Sequence, residues 1–288
     1  MKEVILNADD FGLTPGVNEG IIRAHREGIL TSTTLMATAP AFDQAVALAK
    51  ENPRLGVGCH LVLCGGVAVA PSERIPSLVD SRGHLPESLA SFVVRMTSGR
   101  IRMADVETEL RAQIEKIRNR GIEPTHIDTH KHTHVHPRVM GVIARVAVDL
   151  GIKKIRNPVE DLSDSFRTTS REGIARFKDI AAAAAVRSLA AQFRSTARRH
   201  DLRSPDYFVG LAATGRLDAT TLRSVIDALV EGSTEIMLHP GIWDADLEQT
   251  GSRLQRHRET EMNALIAAEV ADAAKANSVR LISYRELQ

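Results

Sequence analysis

The sequence predicts a parallel α/β sheet of seven or eight short strands, and two observations carry that prediction. Short apolar runs alternate with helical patterns along nearly the whole chain, the signature of successive βαβ units. The chain's most unusual polar residues, Asp9, Asp10, His60, His130 and His239, each fall at or near the carboxyl end of such a run. That edge hosts the chemistry in barrels and in open α/β sheets alike, and the pattern does not decide between the two.

Taken in order, residues 3–8 (EVILNA) read as a buried strand that ends at Asp9-Asp10-Phe11-Gly12. Two adjacent carboxylates after an apolar strand are costly to place. A surface turn is the plain alternative, but Thr14-Pro15 already supplies the cap and first residue of the next helix. That helix carries Val17, Ile21 and Ile22 on one face and ends near Gly28. A strand at 30–37 and a helix at 41–51 follow. Residues 55–63 (LGVGCHLVL) form a third apolar run whose one strongly polar member is His60; a packed core histidine and a metal ligand are both open for it. Cys59 alternates to the opposite face and reads as a buried thiol. The stretch 64–103 is the least regular, and so long a connection suggests a lid or binding loop. A helix over 104–120 stops at Gly121. Pro137 opens a helix to 150, and 152–157 is a strand carrying Arg156. An Ala-rich helical region spans about 171–200. Strands near 206–211, 234–238 and 279–283 alternate with helices near 219–231 and 252–276. The chain reads as one domain over 1–288, with 160–205 a candidate insertion.

Between the helix at 104–120 and Pro137 lies THIDTHKHTHVHP. It places His126, Asp128, His130, His132, His134 and His136 at every second position, so an extended strand would turn all six to one face. His126 and His130 would then lie roughly 13 Å apart, whereas a metal reaches nitrogen at about 2.1 Å. One ion therefore takes one or two members of the row, and its other ligands come from elsewhere in the chain.

Composition narrows the partners. With 37 basic and 36 acidic residues among 288, the chain is almost neutral, which argues against nucleic acid or an anionic membrane surface. Aromatic residues at 3% provide no stacking platform for single strands. The two cysteines are too few for a disulfide framework, and with no signal peptide or membrane-spanning run the expected compartment is the cytoplasm.

An Asp with two His is a workable metal set with open positions. A second carboxylate beside it could take the proton from an attacking water, and a histidine across the site could protonate the leaving group, which is metal-assisted hydrolysis. NADDFGL, GCHLVL, THIDTHKHTHVHP and MLHPG, in that order, resemble the YdjC-like carbohydrate deacetylases, the ChbG/HpnK group. RIPSLVDSRGHL and the HKHTHVHP variant most resemble the hopanoid-associated HpnK branch. The resemblance covers most of the chain and is weakest from about 160 to 205. It implies a barrel-like α/β fold related to polysaccharide deacetylases, acting on an N-acetylated sugar or glycolipid with one divalent ion, Mg or Zn. Carried over by position, it implies Asp10, His60 and His130 as metal ligands, Asp9 as general base and His239 as the candidate acid. Arg156 is expected to keep Asp9 ionised. His126 and Asp128 are expected to orient ligands by hydrogen bonds. His132, His134 and His136 are expected either to line a substrate groove or to be solvated loop residues. A homodimer is a candidate assembly. Two other classes stay open: a non-haem iron oxygenase on the same Asp/His/His set, and a non-catalytic metal-binding module using the histidine row.

Overall fold

The computed structural model describes residues 1–160 and 189–288. Its centre is β1 (Lys2–Phe11), buried from Val4 onward. Around it lie β2 (Ser32–Leu35), β3 (Gly56–Leu61) and β4 (Ile127–Thr129) on one side, β6 (Gly232–Leu238) and β5 (Tyr207–Val209) on the other. The order is β4-β3-β2-β1-β6-β5, with β7 (Arg280–Leu281) also paired to β1, and every pairing is parallel. Beyond β4 the ladder continues, among the described residues, as isolated parallel bridges, Ile127 to Ile155 and Lys154 to Arg203. The result is a parallel half-barrel, in keeping with the barrel-like expectation. Strands buried on both faces read as near-continuous apolar runs, which is why β1 and β3 were legible.

Helices cover the sheet. They are α1 (Pro15–Glu27), α2 (Phe42–Glu51), α3 (Leu89–Thr97), α4 (Met103–Asn119), α5 (Pro137–Asp149), α6 (Ala190–Arg199), α7 (Ala219–Asp227), α8 (Ala245–Gln249), α9 (His257–Ile266) and α10 (Ala268–Ala276). Thr14 caps α1 through its hydroxyl, with Pro15 opening the helix, as the Thr-Pro pair implies. His136 plays the same part before Pro137. No helix among the described residues is long and apolar enough to cross a membrane.

Several expectations change. The irregular stretch 64–103 contains α3, and Ile75, Leu78, Leu85, Phe92 and Met96 from it pack into the core. The single helix expected over 252–276 is divided, α9 ending at Ile266 and α10 starting at Ala268. Residues 152–157 make only bridges. Of the helix expected over 171–200, residues up to 188 lie outside the described residues, and so does most of the candidate insertion.

The largest change concerns the histidine row. β4 is paired to β3 only as far as Thr129 opposite Leu61. Lys131 and His132 then take left-handed backbone angles, φ 55° and 52°, inside a short 3-10 helix over His130–Val135. With the ladder gone and the twist reversed, strand alternation no longer holds, and the histidines after 130 scatter to different surroundings.

Candidate active site

At the carboxyl edge of the sheet, β1 carries a bulge. Its register with β2 shifts between Ala8 and Phe11, and Asp10 has φ 67°. Strict alternation would send adjacent side chains to opposite faces; a bulge re-aims them. Asp is among the few residues that tolerate this backbone region. Both carboxylates are thereby buried at one site, Asp9 3% and Asp10 4% exposed.

Asp10 meets the two histidines at the ends of β3 and β4. Its Oδ1 lies 3.6 Å from His60 Nε2 and 3.4 Å from His130 Nδ1, and the two nitrogens are 3.4 Å apart. An ion with bonds of about 2.1 Å to tetrahedrally disposed ligands sets neighbouring donors about 3.4 Å apart. Asp10 Oδ1 is buried without a hydrogen-bond partner. The three donors therefore fit a single divalent cation. A second convergent group, Asp9, His60 and Asp128, fits less well, because Arg156 already engages both of its carboxylates.

Asp128 sets the ring of His60. Its Oδ1 lies 2.7 Å from His60 Nδ1, and its Oδ2 accepts from Thr34 Oγ1 at 3.1 Å. With Nδ1–H donating to the carboxylate, the Nε2 lone pair faces Asp10 and His130, the usual arrangement behind a ligating imidazole. Burial disfavours charge on His60, but Asp128 and Asp9 outweigh it and raise the ring to about 9. A cation at Nε2 would take the place of the proton those carboxylates attract.

Arg156, fully buried, is the hub behind the site. Its Nη1 and Nη2 donate to Asp9 Oδ2 and Oδ1 at 2.8 and 2.6 Å, a bidentate fork. Nη1 also lies 2.8 Å from Asp128 Oδ2, and Nε donates to Glu235 Oε1 at 2.9 Å. Burial alone would raise Asp9; the Arg156 guanidinium overcomes it and holds the carboxyl well below the usual carboxylate range. Glu235 goes the other way, to about 7, because burial exceeds what Arg156 supplies; it also accepts from the Tyr284 hydroxyl at 2.6 Å.

His239 follows the end of β6, its Nε2 4.0 Å from Asp9 Oδ2 and its Nδ1 4.0 Å from Glu261 Oε2. Burial lowers it to about 4 against the pull of Asp9 and Asp10, so the ring rests neutral near pH 7. Asp9, Asp10, His60, His130, His132 and His239 all line one cleft of about 640 Å³, within the range of small-molecule sites.

The rest of the histidine row separates. His132 lines the cleft with its ring edge-on to Phe208. His134 is buried, bonded to Thr129 Oγ1 and set against Phe193. His136 caps α5. His126 stacks on Tyr284, ring centroids 3.6 Å apart, and its Nδ1 is hydrogen-bonded to Thr125 Oγ1, away from the Asp128–His60 pair. Two residues that sequence reasoning passed over also reach the site. Arg258 donates to Asp10 Oδ2 at 2.6 Å, and Glu261 accepts the His239 backbone N–H at 2.6 Å. Their helix is rich in charge, and a charged helix face is ordinarily solvated. The available signal was phase, since both stand one turn from Met262 and Leu265 on the buried side.

The family model described as YdjC-like protein matches residues 3–276. A carbohydrate deacetylase of Geobacillus stearothermophilus is 36% identical over 283 residues, covering 98% of this chain and 96% of its own. One from Brevibacillus brevis is 32% identical over 289 residues, covering 99% of each. Among solved structures, a putative cellobiose-phosphate cleavage protein from Enterococcus faecalis superposes with a TM-score of 0.81 at 28% identity, covering 99% of this chain and 98% of that one. A lactam utilization protein from Thermus thermophilus, at TM-score 0.50 and 13% identity over 98% of this chain and 99% of that one, shares the fold alone.

Proposed function

The chain belongs to the YdjC-like family, and from that membership we propose that it is a divalent-metal-dependent hydrolase that removes acetyl from the 2-acetamido group of an N-acetylated sugar. The observation that carries the reading is the convergence of Asp10 Oδ1, His60 Nε2 and His130 Nδ1 within 3.6 Å of one another, beside a carboxylate that Arg156 keeps ionised. Full-length relatives named carbohydrate deacetylase supply the substrate class.

Asp10, His60 and His130 would hold the ion. Two imidazoles and one carboxylate suit zinc better than magnesium, which prefers oxygen ligands in octahedral geometry. A bound ion of this kind polarises the amide carbonyl and acidifies the attacking water. Asp9 takes the proton from that water. Its fork to Arg156 lowers its basicity but fixes its direction, and each oxygen keeps a second lone pair free of the guanidinium. His239 rests neutral, so the proton it gives to the departing amine is one gained during the cycle. Asp9 and Glu261 both lie 4.0 Å from the ring, and Asp9, which takes the proton from the water, is the one placed to pass it on.

An iron oxygenase could use the same ligand set but has no need of a forked, ionised base beside it. A storage module would need the whole histidine row to converge, whereas His126, His134 and His136 are turned to separate packing roles.

Within this reaction we assign the substrate to an apolar glycoside, as the resemblance to the hopanoid-associated branch suggests. Glu87, within the stretch 64–103, lines the cleft, and α3 just after it exposes Leu89, Val93 and Val94, apolar surface suited to an aglycone. Acetate release from N-acetylglucosamine linked to a long-chain alcohol and from chitobiose, measured side by side, tests both levels. Preference for the alkyl glycoside supports the whole reading. Preference for chitobiose removes the apolar aglycone and keeps the deacetylase; inactivity on every N-acetyl sugar removes both.

A further inference from the structure

Helix α9 departs from the usual surface pattern. Met262 and Leu265 are buried on its inner side, and so are Arg258 and Glu261, 1% and 0% exposed. Three residues apart on one helix, a cation and a carboxylate are placed to pair with each other. These two instead reach different strand ends. Arg258 Nη2 donates to Asp10 Oδ2 on β1, and its Nε to the Leu254 carbonyl at 3.1 Å. Glu261 Oε2 accepts the His239 N–H just beyond β6, and Oε1 accepts from the Leu217 N–H at 3.4 Å.

We propose that α9 is the positioning element of the site, Arg258 selecting which oxygen of Asp10 faces the ligand cluster and Glu261 fixing the backbone from which His239 projects.

A free carboxylate can turn and offer a cation either oxygen or both. Here Oδ2 is taken by Arg258, while Oδ1 has no hydrogen-bond partner and faces His60 Nε2 and His130 Nδ1. Arg258 carries the same sign of charge as the ion, so it weakens the raw attraction; what it contributes is orientation. Glu261 works on a peptide group that the β6 ladder no longer reaches. The charged and titratable groups facing the His239 ring are Asp9 and Asp10 from β1, Arg258 and Glu261 from α9, Arg156 from the 152–157 segment and His132 from the turn after β4. Among them Glu261 alone also holds the His239 main chain.

The Arg258 half stands on the ligand cluster alone. The Glu261 half rests on the hydrolase reading only for its effect on rate, and the test separates the two. Full-length protein is loaded with one equivalent of Co(II), and paramagnetically shifted imidazole resonances are followed by NMR. Arg258→Gln is expected to move the His60 and His130 signals further than those of His239. Glu261→Gln is expected to do the reverse, and in acetate-release assays to lower kcat about tenfold or more at unchanged KM. A merely structural role moves all of these signals together or none. Arg258→Lys keeps the charge and loses the second bond, to the Leu254 carbonyl; it is expected to move the same two signals by less, and serves if Arg258→Gln does not fold. Unmoved His60 and His130 signals in the Arg258 variants, or unmoved His239 signals in Glu261→Gln, overturn the assignment. If the wild-type protein hydrolyses no N-acetyl sugar, the resonances still decide the role of α9 while the proposed reaction falls.

Discussion

Asp9 and Asp10 are chemically identical neighbours, and their surroundings separate them. Asp9 has both oxygens on Arg156; Asp10 has one on Arg258 and one bare. The expected outcome of Asp10→Ala is loss of the bound ion. Asp9→Asn should keep the ion and lose nearly all turnover, since an amide cannot accept the proton. Metal content of the two purified variants distinguishes them, and the reverse result would exchange their roles. For His239→Ala, metal content should be unchanged and kcat should fall by about 10²–10⁴-fold, the usual worth of a placed acid or base. Full activity would make His239 a packing residue. At this scale the sequence was most legible where a polar residue interrupted an apolar run, as His60 and Asp9-Asp10 do. It was least legible where a charge hid among charges, as Arg258 and Glu261 do in RHRETE.

Element by element, legibility followed the hydrogen-bond ladder. The apolar runs of β1, β3 and β6 and the Thr-Pro start of α1 could be read because local pattern and tertiary surroundings agree there. The histidine row could not, because its period of two is real in sequence but β4 has no ladder after Thr129. The bulge in β1 was likewise invisible, since nothing in NADDFG states that Asp10 takes a positive φ. One glycine shows how tightly these strands support the site. A Cβ built on Gly58 of β3 would stand 2.4 Å from the His126 ring, which is itself stacked on Tyr284. Gly58→Ala is therefore expected to destabilise the protein by about 1–3 kcal/mol, as overpacking does, read as a lower urea midpoint. An unchanged midpoint would mean that the His126–Tyr284 stack moves freely.

Across the whole molecule, the site concentrates buried titratable groups, and this gives stability a definite pH dependence before any ion is bound. Burial lowers His126, His132, His134 and His239, His132 to about 3 and His239 to about 4. A base with a depressed folded-state pKa contributes stability that is present above its ordinary value near 6.5 and lost as pH falls towards the folded value. Glu235 and Glu261, raised by burial to about 7, act in the opposite sense and gain stability as pH falls. The histidines outnumber them, so the urea midpoint of the chelator-treated protein should drop between pH 6.5 and pH 4.5. A flat profile over that window would show that these rings are open to water.

On the proposed reading, one ion held by Asp10, His60 and His130 makes this half-barrel an amide hydrolase. Stepwise addition of Zn(II) to chelator-treated protein, with acetate release from an N-acetylglucosaminide measured at each step, tests it most directly. Activity is expected to rise linearly and level off at one equivalent per chain. Activity that is indifferent to the ion, or that requires several equivalents, would rule out catalysis by a single ion at Asp10, His60 and His130.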